Sequence, residues 1–425
     1  LIRKIGYSIM NNEEIITGLD IGSSTIRMVV GQRSAEQKLN IIAAAEVPAE
    51  GISKGTVVSI EDAVASINKC LEKTEKIAGN NIETAWVGIS GSHIISQESR
   101  GVVAISRSDG EITEDDVERA IEAARTVATP SNYEILHVIP RSFTIDGQTN
   151  IKDPVGMNGI RLEVDTQIIQ GLTSQIKNLT KCVYRTGIDI EDLVLSILAS
   201  SEAVLTNRQK DLGVVLVNIG ASTTSVIVFE EGDVLHTAVL PIGSDHVTAD
   251  LAIGLRASID TAETVKINYG TALSKDVLKK DEINLFDIDT TVSEDDSIVS
   301  RKYIAEIIEA RVEEIFEKVD SELKKVDRSG SLPAGVVLIG GGVKLPGIVE
   351  VCKKKLKLPA CLGFAQNLTS AIDKVQDLGF LTAVGLVVWG DQLTKGKRKA
   401  FSISKFKSVA QAGEAIRGWF DKIKP

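Results

Sequence analysis

Aromatic residues make up only 4% of this 425-residue chain, so aliphatic side chains must supply most of the area its core buries. Cysteine is scarce as well. Cys70, Cys182, Cys352 and Cys361 stand far apart. With no Cys-x-x-Cys pair and no histidine at ligand spacing, they read as buried free thiols. No run approaches the ~20 apolar residues of a membrane-spanning helix. The longest candidate, residues 380–389, is interrupted by Thr382 and Gly385 and reads as a buried helix. Residues 1–14 lack the apolar stretch of a secretory signal, so the cytoplasm is the expected compartment. Leu1 precedes Met10, and residues 1–12 are left out of the fold reading.

What is present is 43% hydrophobic and 25% charged, the balance of a folded chain long enough for two lobes or more. The net charge of −10 is unevenly spread. From Thr394 onward, nine Lys and Arg (Lys395, Lys397, Arg398, Lys399, Lys405, Lys407, Arg417, Lys422, Lys424) face only Glu414 and Asp421. That tail carries +7 and the rest −17. A basic tail on an acidic body predicts an anionic surface as partner, and nucleic acid is not expected.

One segment occurs twice. Residues 15–25 (IITGLDIGSST) overlay residues 213–223 (GVVLVNIGAST) without a gap, at an offset of 198. Both run on into β-branched, apolar residues, so each reads as strand, tight turn, strand. Gly22 and Gly220 remove the Cβ that would hold a phosphate away from the backbone. Ser23, Ser24, Thr25, Ala221, Ser222 and Thr223 offer hydroxyl or amide donors. Two such turns face to face could grip one polyphosphate, and Asp20 could hold a hydrated Mg²⁺, which needs only one or two carboxylates. A third strand, residues 335–339, breaks at Gly340, Gly341 and Gly342 before a helix that follows Pro346. Three glycines let a flat group such as adenosine approach the backbone.

This order of strand-turn motifs resembles the actin, heat-shock-70 and sugar-kinase superfamily. Within it the chain is similar to the FtsA family of bacterial cell-division proteins over nearly its whole length. The marks are GLDIGSS at 18–24, HVIPRSFTIDGQTNIKDPVGMNGIRLEV at 137–164, VVLVNIGASTTSVIVF at 214–229, PIGSDHVTADLAIGL at 241–255, AETVKINYG at 262–270 and VLIGGGVKLPGI at 337–348. The resemblance implies an α/β, actin-like (ribonuclease H-like, duplicated) fold of two lobes with a nucleotide cleft and an FtsA-type 1C subdomain. Subdomain 1A would take residues 13–90 with 171–207 and 379–392, and 1C residues 91–170. Subdomain 2A would take 208–240 with 330–378, and 2B 241–329, its helical spacing marked by Tyr303, Ile304, Ile307, Ile308, Val312, Ile315 and Phe316. A basic linker at 393–407 and an amphipathic helix at 408–425 would follow.

By the same resemblance ATP with Mg²⁺ would fill the cleft, Glu263 and Lys266 would face the ribose or adenine, and Gly243 would join the nucleotide-binding set. Read from the residues alone, Glu263 and Lys266 are a solvated helix face. The chain departs from the superfamily at Asn218, where an acid usually helps hold the metal shell and the attacking water, and again at Ser225. An amide brings no negative charge, so nucleotide binding with weak or no hydrolysis is expected. Glu202 is the candidate for orienting the water, or else a helix-surface carboxylate. Arg27 could reach phosphate or simply decorate its strand.

In the tail, a period of 100° per residue places Val409, Ala412, Ile416, Trp419, Phe420 and Ile423 on one face, with Arg417, Lys422 and Lys424 at its edges. Such a helix binds anionic lipid reversibly, more strongly when several copies act together. The expected function is a protein that polymerises on the inner face of the cytoplasmic membrane at the division septum. It would tether FtsZ there by docking the FtsZ C-terminal tail on 2B, with Arg301 a candidate contact or an ordinary exposed arginine. It would recruit later division proteins through 1C. Rival readings are an actin-like adaptor of type IV pilus assembly and a small-molecule kinase of the same superfamily.

Overall fold

The computed structural model describes residues 15–33, 38–126, 129–291, 297–366, 368–370, 372–398 and 407–408. The expected tail-helix residues Val409, Ile416, Arg417, Trp419, Phe420, Lys422 and Ile423 lie outside them. The chain opens with β1 (Ile15–Ile21), β2 (Thr25–Arg33) and β3 (Leu39–Pro48), an antiparallel meander. A short hairpin, β4 (Ile52–Ser53) with β5 (Thr56–Val57), leads into α1 (Ile60–Ala78). The Ser59 side chain caps that helix and Gly79 ends it in the left-handed conformation, while Ala63, Ile67, Cys70 and Thr74 recur at helical spacing on its buried face. Then β6 (Thr84–Ile89) joins β1 in parallel.

An inserted unit comes next, with β7 (Ile95–Ala104), α2 (Glu114–Arg125), β8 (Tyr133–Ile145), β9 (Gln148–Ile151) and β10 (Arg161–Leu172). It has its own core, in which Val117, Ala120 and Ala124 of α2 lie over Phe143, Leu162 and Val164. The chain returns through α3 (Thr173–Tyr184), β11 (Asp189–Leu195), α4 (Ser196–Val204) and α5 (Asn207–Leu212).

The second lobe repeats the plan. A meander of β12 (Val214–Ile219), β13 (Thr224–Glu230) and β14 (Asp233–Leu240) is followed by α6 (Ser244–Leu255), α7 (Ile259–Tyr269), the pair β15 (Glu282–Asn284) and β16 (Ile298–Ser300), and the long α8 (Arg301–Lys325). Next come β17 (Val336–Ile339), α9 (Ile348–Leu356), β18 (Ala360–Leu362), β19 (Thr369–Ser370), α10 (Leu381–Arg398) and β20 (Lys407–Ser408). One sheet runs β3-β2-β1-β6-β11 and the other β14-β13-β12-β17-β18, the same order from one duplicated plan, with β19 added at the edge of the first.

Helices α4 and α10 lie where the lobes meet. Their core joins Leu386, Val387 and Trp389 of α10 to Leu216, Ile227 and Phe229 of the second sheet. They approach so closely that a Cβ on Gly385 would sit 2.4 Å from the Ala199 carbonyl oxygen. Three features differ from the sequence reading. The helix expected to give way to a linker at 393 continues to Arg398, because Asp391 is anchored by a buried pair with Arg33 and Thr394 bonds back to Gly390. Lys407, expected in that linker, and Ser408, expected to start the amphipathic helix, pair with β8. Cys361 lies exposed at the sheet edge while Cys70, Cys182 and Cys352 are buried.

Candidate functional site

The repeated segments form two hairpins of identical register. Asp20 stands opposite Arg27 in the first, and Asn218 opposite Ser225 in the second. Each turn closes on itself, with the Gly22 amide donating to the Thr25 carbonyl (3.2 Å) and the Gly220 amide to the Thr223 carbonyl (2.9 Å). The room left for a side chain differs between them. A Cβ at Gly22 would lie 2.7 Å from the Thr25 oxygen, and one at Gly220 3.1 Å from the Thr223 oxygen. Both turns line one cleft of about 530 Å³, with residues 20–25 on one wall and residues 218–223 on the other.

Asp20 sits half-buried in that cleft. Desolvation raises its carboxyl to about 6, against a smaller opposing pull from Arg27. Arg27 is turned partly away, since its guanidinium bonds Glu46 at 3.2 Å and lies 5.4 Å from the centre of the Phe380 ring. A desolvated carboxylate without a firm counter-ion suits a cation. Among the described residues no three His, Cys, Asp or Glu side chains gather as a cage. The donor set fits Mg²⁺ held by one carboxylate, water and phosphate oxygens, and does not fit an all-protein site.

At the other end of the cleft Glu263 and Lys266 meet, their charged atoms 2.6 Å apart. Thr248 joins them, donating to Glu263 (2.5 Å) and accepting from Lys266 (2.8 Å). Pairing by three neighbours on α6 and α7, rather than free solvation, fixes this face, and apolar Ile267, Val312, Ile315 and Pro346 close the wall around it. The three glycines after β17 have separate reasons to be there. Gly340 adopts φ +96° and its Cβ would strike Asn218 Oδ1 at 2.3 Å, while a Cβ on Gly342 would meet Ile219 at 2.7 Å. A Cβ on Gly341 would meet nothing within 4 Å and would point into open space.

Not every candidate reaches the cleft. Glu202 is not among the residues that line the cleft, and its carboxylate is held by Lys210 at 2.6 Å and by Gln392 at 3.3 Å. Gly243 is a support beneath the second turn, for a Cβ there would meet the Ala221 oxygen at 2.4 Å. The next two amides, Ser244 and Asp245, donate to the carbonyls of Gly220 and Ala221. Arg301, at the start of α8, is part-buried beside Asp281 (3.9 Å) and donates to the Tyr269 carbonyl (3.4 Å). Ser90, Ser196 and Thr382 line the cleft without having been expected there. Thr382 left one signal, a hydroxyl inside an otherwise apolar helix.

Residues 91–170 match the family model described as "SHS2 domain inserted in FTSA", and residues 215–385 match that of "Cell division protein FtsA". The chain is 38% identical to the cell division protein FtsA of Pseudomonas aeruginosa over 410 residues, covering 96% of this chain and 97% of the relative. It is also 38% identical to that of Bacillus subtilis over 89% of this chain and 84% of the relative. Among solved structures, the PilM-PilN type IV pilus biogenesis complex aligns at a TM-score of 0.63 with 16% identity, over 88% of this chain and 98% of that one. MreB5 of Spiroplasma citri bound to ADP aligns at 0.54 with 12% identity, over 91% and 99%. At such identities the structural likenesses speak for an actin-like fold alone, whereas the sequence relatives span the whole duplicated body and its inserted unit, and on that ground the chain belongs to the FtsA family of cell-division proteins.

Proposed function

We propose that this chain binds ATP in the cleft, assembles into filaments on the inner face of the cytoplasmic membrane at the division septum, and tethers FtsZ there. The observation that carries the reading is the pair of glycine turns lining one cleft, with Asp20 desolvated beside them. Amides and hydroxyls of residues 22–25 and 220–223 would receive the phosphates, Asp20 would hold the hydrated Mg²⁺, and Glu263 and Lys266 would meet the ribose. Bound Mg²⁺ supplies charge neutralisation at the phosphates. MreB5 of Spiroplasma citri, which shares the fold, has been solved with ADP and with AMPPNP. Asn218 and Ser225 stand in place of acids, and Asp245, which lines the cleft at the second turn, has its carboxylate engaged by Ser222 Oγ at 2.9 Å, which supports slow hydrolysis.

No helix among the described residues is long and apolar enough to cross a membrane, so the membrane contact is assigned to residues 408–425. Their large apolar side chains contribute up to ~1.5–3 kcal/mol each when buried, and each flanking cation about 1 kcal/mol at an anionic leaflet. FtsZ would dock its C-terminal tail on the 241–329 subdomain, and later division proteins on the 91–170 insertion. The test is sedimentation of FtsZ with anionic liposomes in the presence of ATP. The full chain brings FtsZ down with the lipid, and deletion of residues 408–425 leaves both in the supernatant; lipid binding that survives the deletion would sink the tether reading.

A further inference from the structure

Four polar groups cross the junction of the lobes in a row. The Asn218 amide, on the strand that leads into the second turn, donates from Nδ2 to Thr382 Oγ1 at 3.2 Å. Thr382, in the first turn of α10, lies 3.2 Å from Ser200 Oγ on α4. Ser200 is 2.8 Å from the Ser196 carbonyl oxygen, which can only accept. Ser200 Oγ donates its one proton toward both the Ser196 carbonyl and Thr382 Oγ1, and Thr382 Oγ1 accepts from Ser200 and from the Asn218 amide. An ionised carboxylate at 218 has no proton to give and could not donate to Thr382. Ser200 is fully buried and Thr382 is only 5% exposed at the cleft wall, so a lost partner is costly to replace.

We propose that the hydrogen-bonded row of Asn218, Thr382, Ser200 and the Ser196 carbonyl is a latch that holds the phosphate-facing strand of the second lobe against the first and sets how fast the cleft opens to release nucleotide. This rests on the nucleotide reading above. Asn218 and Thr382 act as positioning residues in it, and a second hydroxyl contact between the lobes, Ser90 with Ser225 at 3.3 Å, reinforces the same closure.

The experiment is stopped-flow release of a fluorescent ATP analogue from the full-length protein with Mg²⁺. Thr382→Val keeps the shape and removes the hydroxyl, and it should speed release about three- to tenfold with an unchanged association rate. Ser200→Ala should speed release in the same direction, and the double variant should match Thr382→Val alone, because both cut one chain. Thr382→Ser should restore slow release. A wild-type protein that binds no nucleotide overturns the nucleotide reading and this one with it. Nucleotide that binds but leaves Thr382→Val at the wild-type rate, or effects of the two substitutions that simply add, overturns the latch alone. If Thr382→Val does not fold, Ser200→Ala decides, and an unchanged rate there counts against the latch.

Discussion

At the first turn an acid faces a base across the hairpin, Asp20 against Arg27; at the second an amide faces a hydroxyl, Asn218 against Ser225. The backbones follow one register and the glycines stand in the same place, yet the strand before the first turn ends on a desolvated carboxyl and the strand before the second on an amide that donates to Thr382. On the readings proposed above, one half of the duplicated scaffold would hold the cation and the other would join the lobes. Function in this fold resides in side chains grafted on a shared frame.

The sharpest way to break the contrast is to make the first turn as neutral as the second. Asp20→Asn removes a carboxyl that folding moves from 3.8 to about 6. Above pH 6 the folded wild type holds an ionised group that would be better hydrated in the unfolded chain, so the nucleotide-free variant should be more stable at pH 8 by up to about 3 kcal/mol. As pH falls through 6 toward 4 the wild-type carboxyl takes up its proton, and the gap should close. Thermal melts across that range check the sign, since a variant less stable at pH 8 would contradict it. Calorimetric titration with ATP, with and without Mg²⁺, should show the variant losing the metal-dependent part of its affinity, roughly tenfold or more.

A smaller effect sharpens the comparison at the backbone. Gly22→Ala forces a Cβ to within 2.7 Å of the Thr25 carbonyl oxygen, so the turn must move, while Gly220→Ala meets the Thr223 oxygen at 3.1 Å and asks for a few tenths of an ångström. Overpacking of this kind costs about 1–3 kcal/mol, and the first substitution should fall at the upper end of that range and the second at or below the lower. Denaturant unfolding of the two variants measures the difference. Equal losses would mean that the two turns are equally tight in solution.

How much of this was legible in the sequence follows from the distance over which each feature is decided. Both glycine turns, the strands around them and the three glycines after β17 are local patterns, and residues 15–25 and 213–223 announce the duplication directly. Glu202 could not be placed, because its roles are set by Lys210 on the next helix and by Gln392, 190 positions away. Thr382 meets Asn218 from 164 positions away. The continuation of α10 past 392 depends on Asp391 finding Arg33, 358 positions off, in a buried pair that no periodicity foretells. Residues that touch across the duplication are invisible to a reading that works one segment at a time.

The mildest substitution separates the fold from the ligand most cleanly. Gly341 stands in the third turn, between two glycines the protein itself requires, yet a Cβ built there meets no atom within 4 Å and its backbone is not left-handed. Gly341→Ala should therefore leave stability within about 0.5 kcal/mol of wild type. Gly341 also lines the cleft, so the added methyl would occupy the space in which a flat base approaches the backbone, and ATP affinity should drop several-fold while Gly340→Ala, with φ +96° and a 2.3 Å contact to Asn218, loses the fold as well. Melting temperature and nucleotide titration on the same samples give both readings. A Gly341→Ala protein that is fully stable and binds ATP as tightly as wild type would place the adenosine somewhere other than this turn.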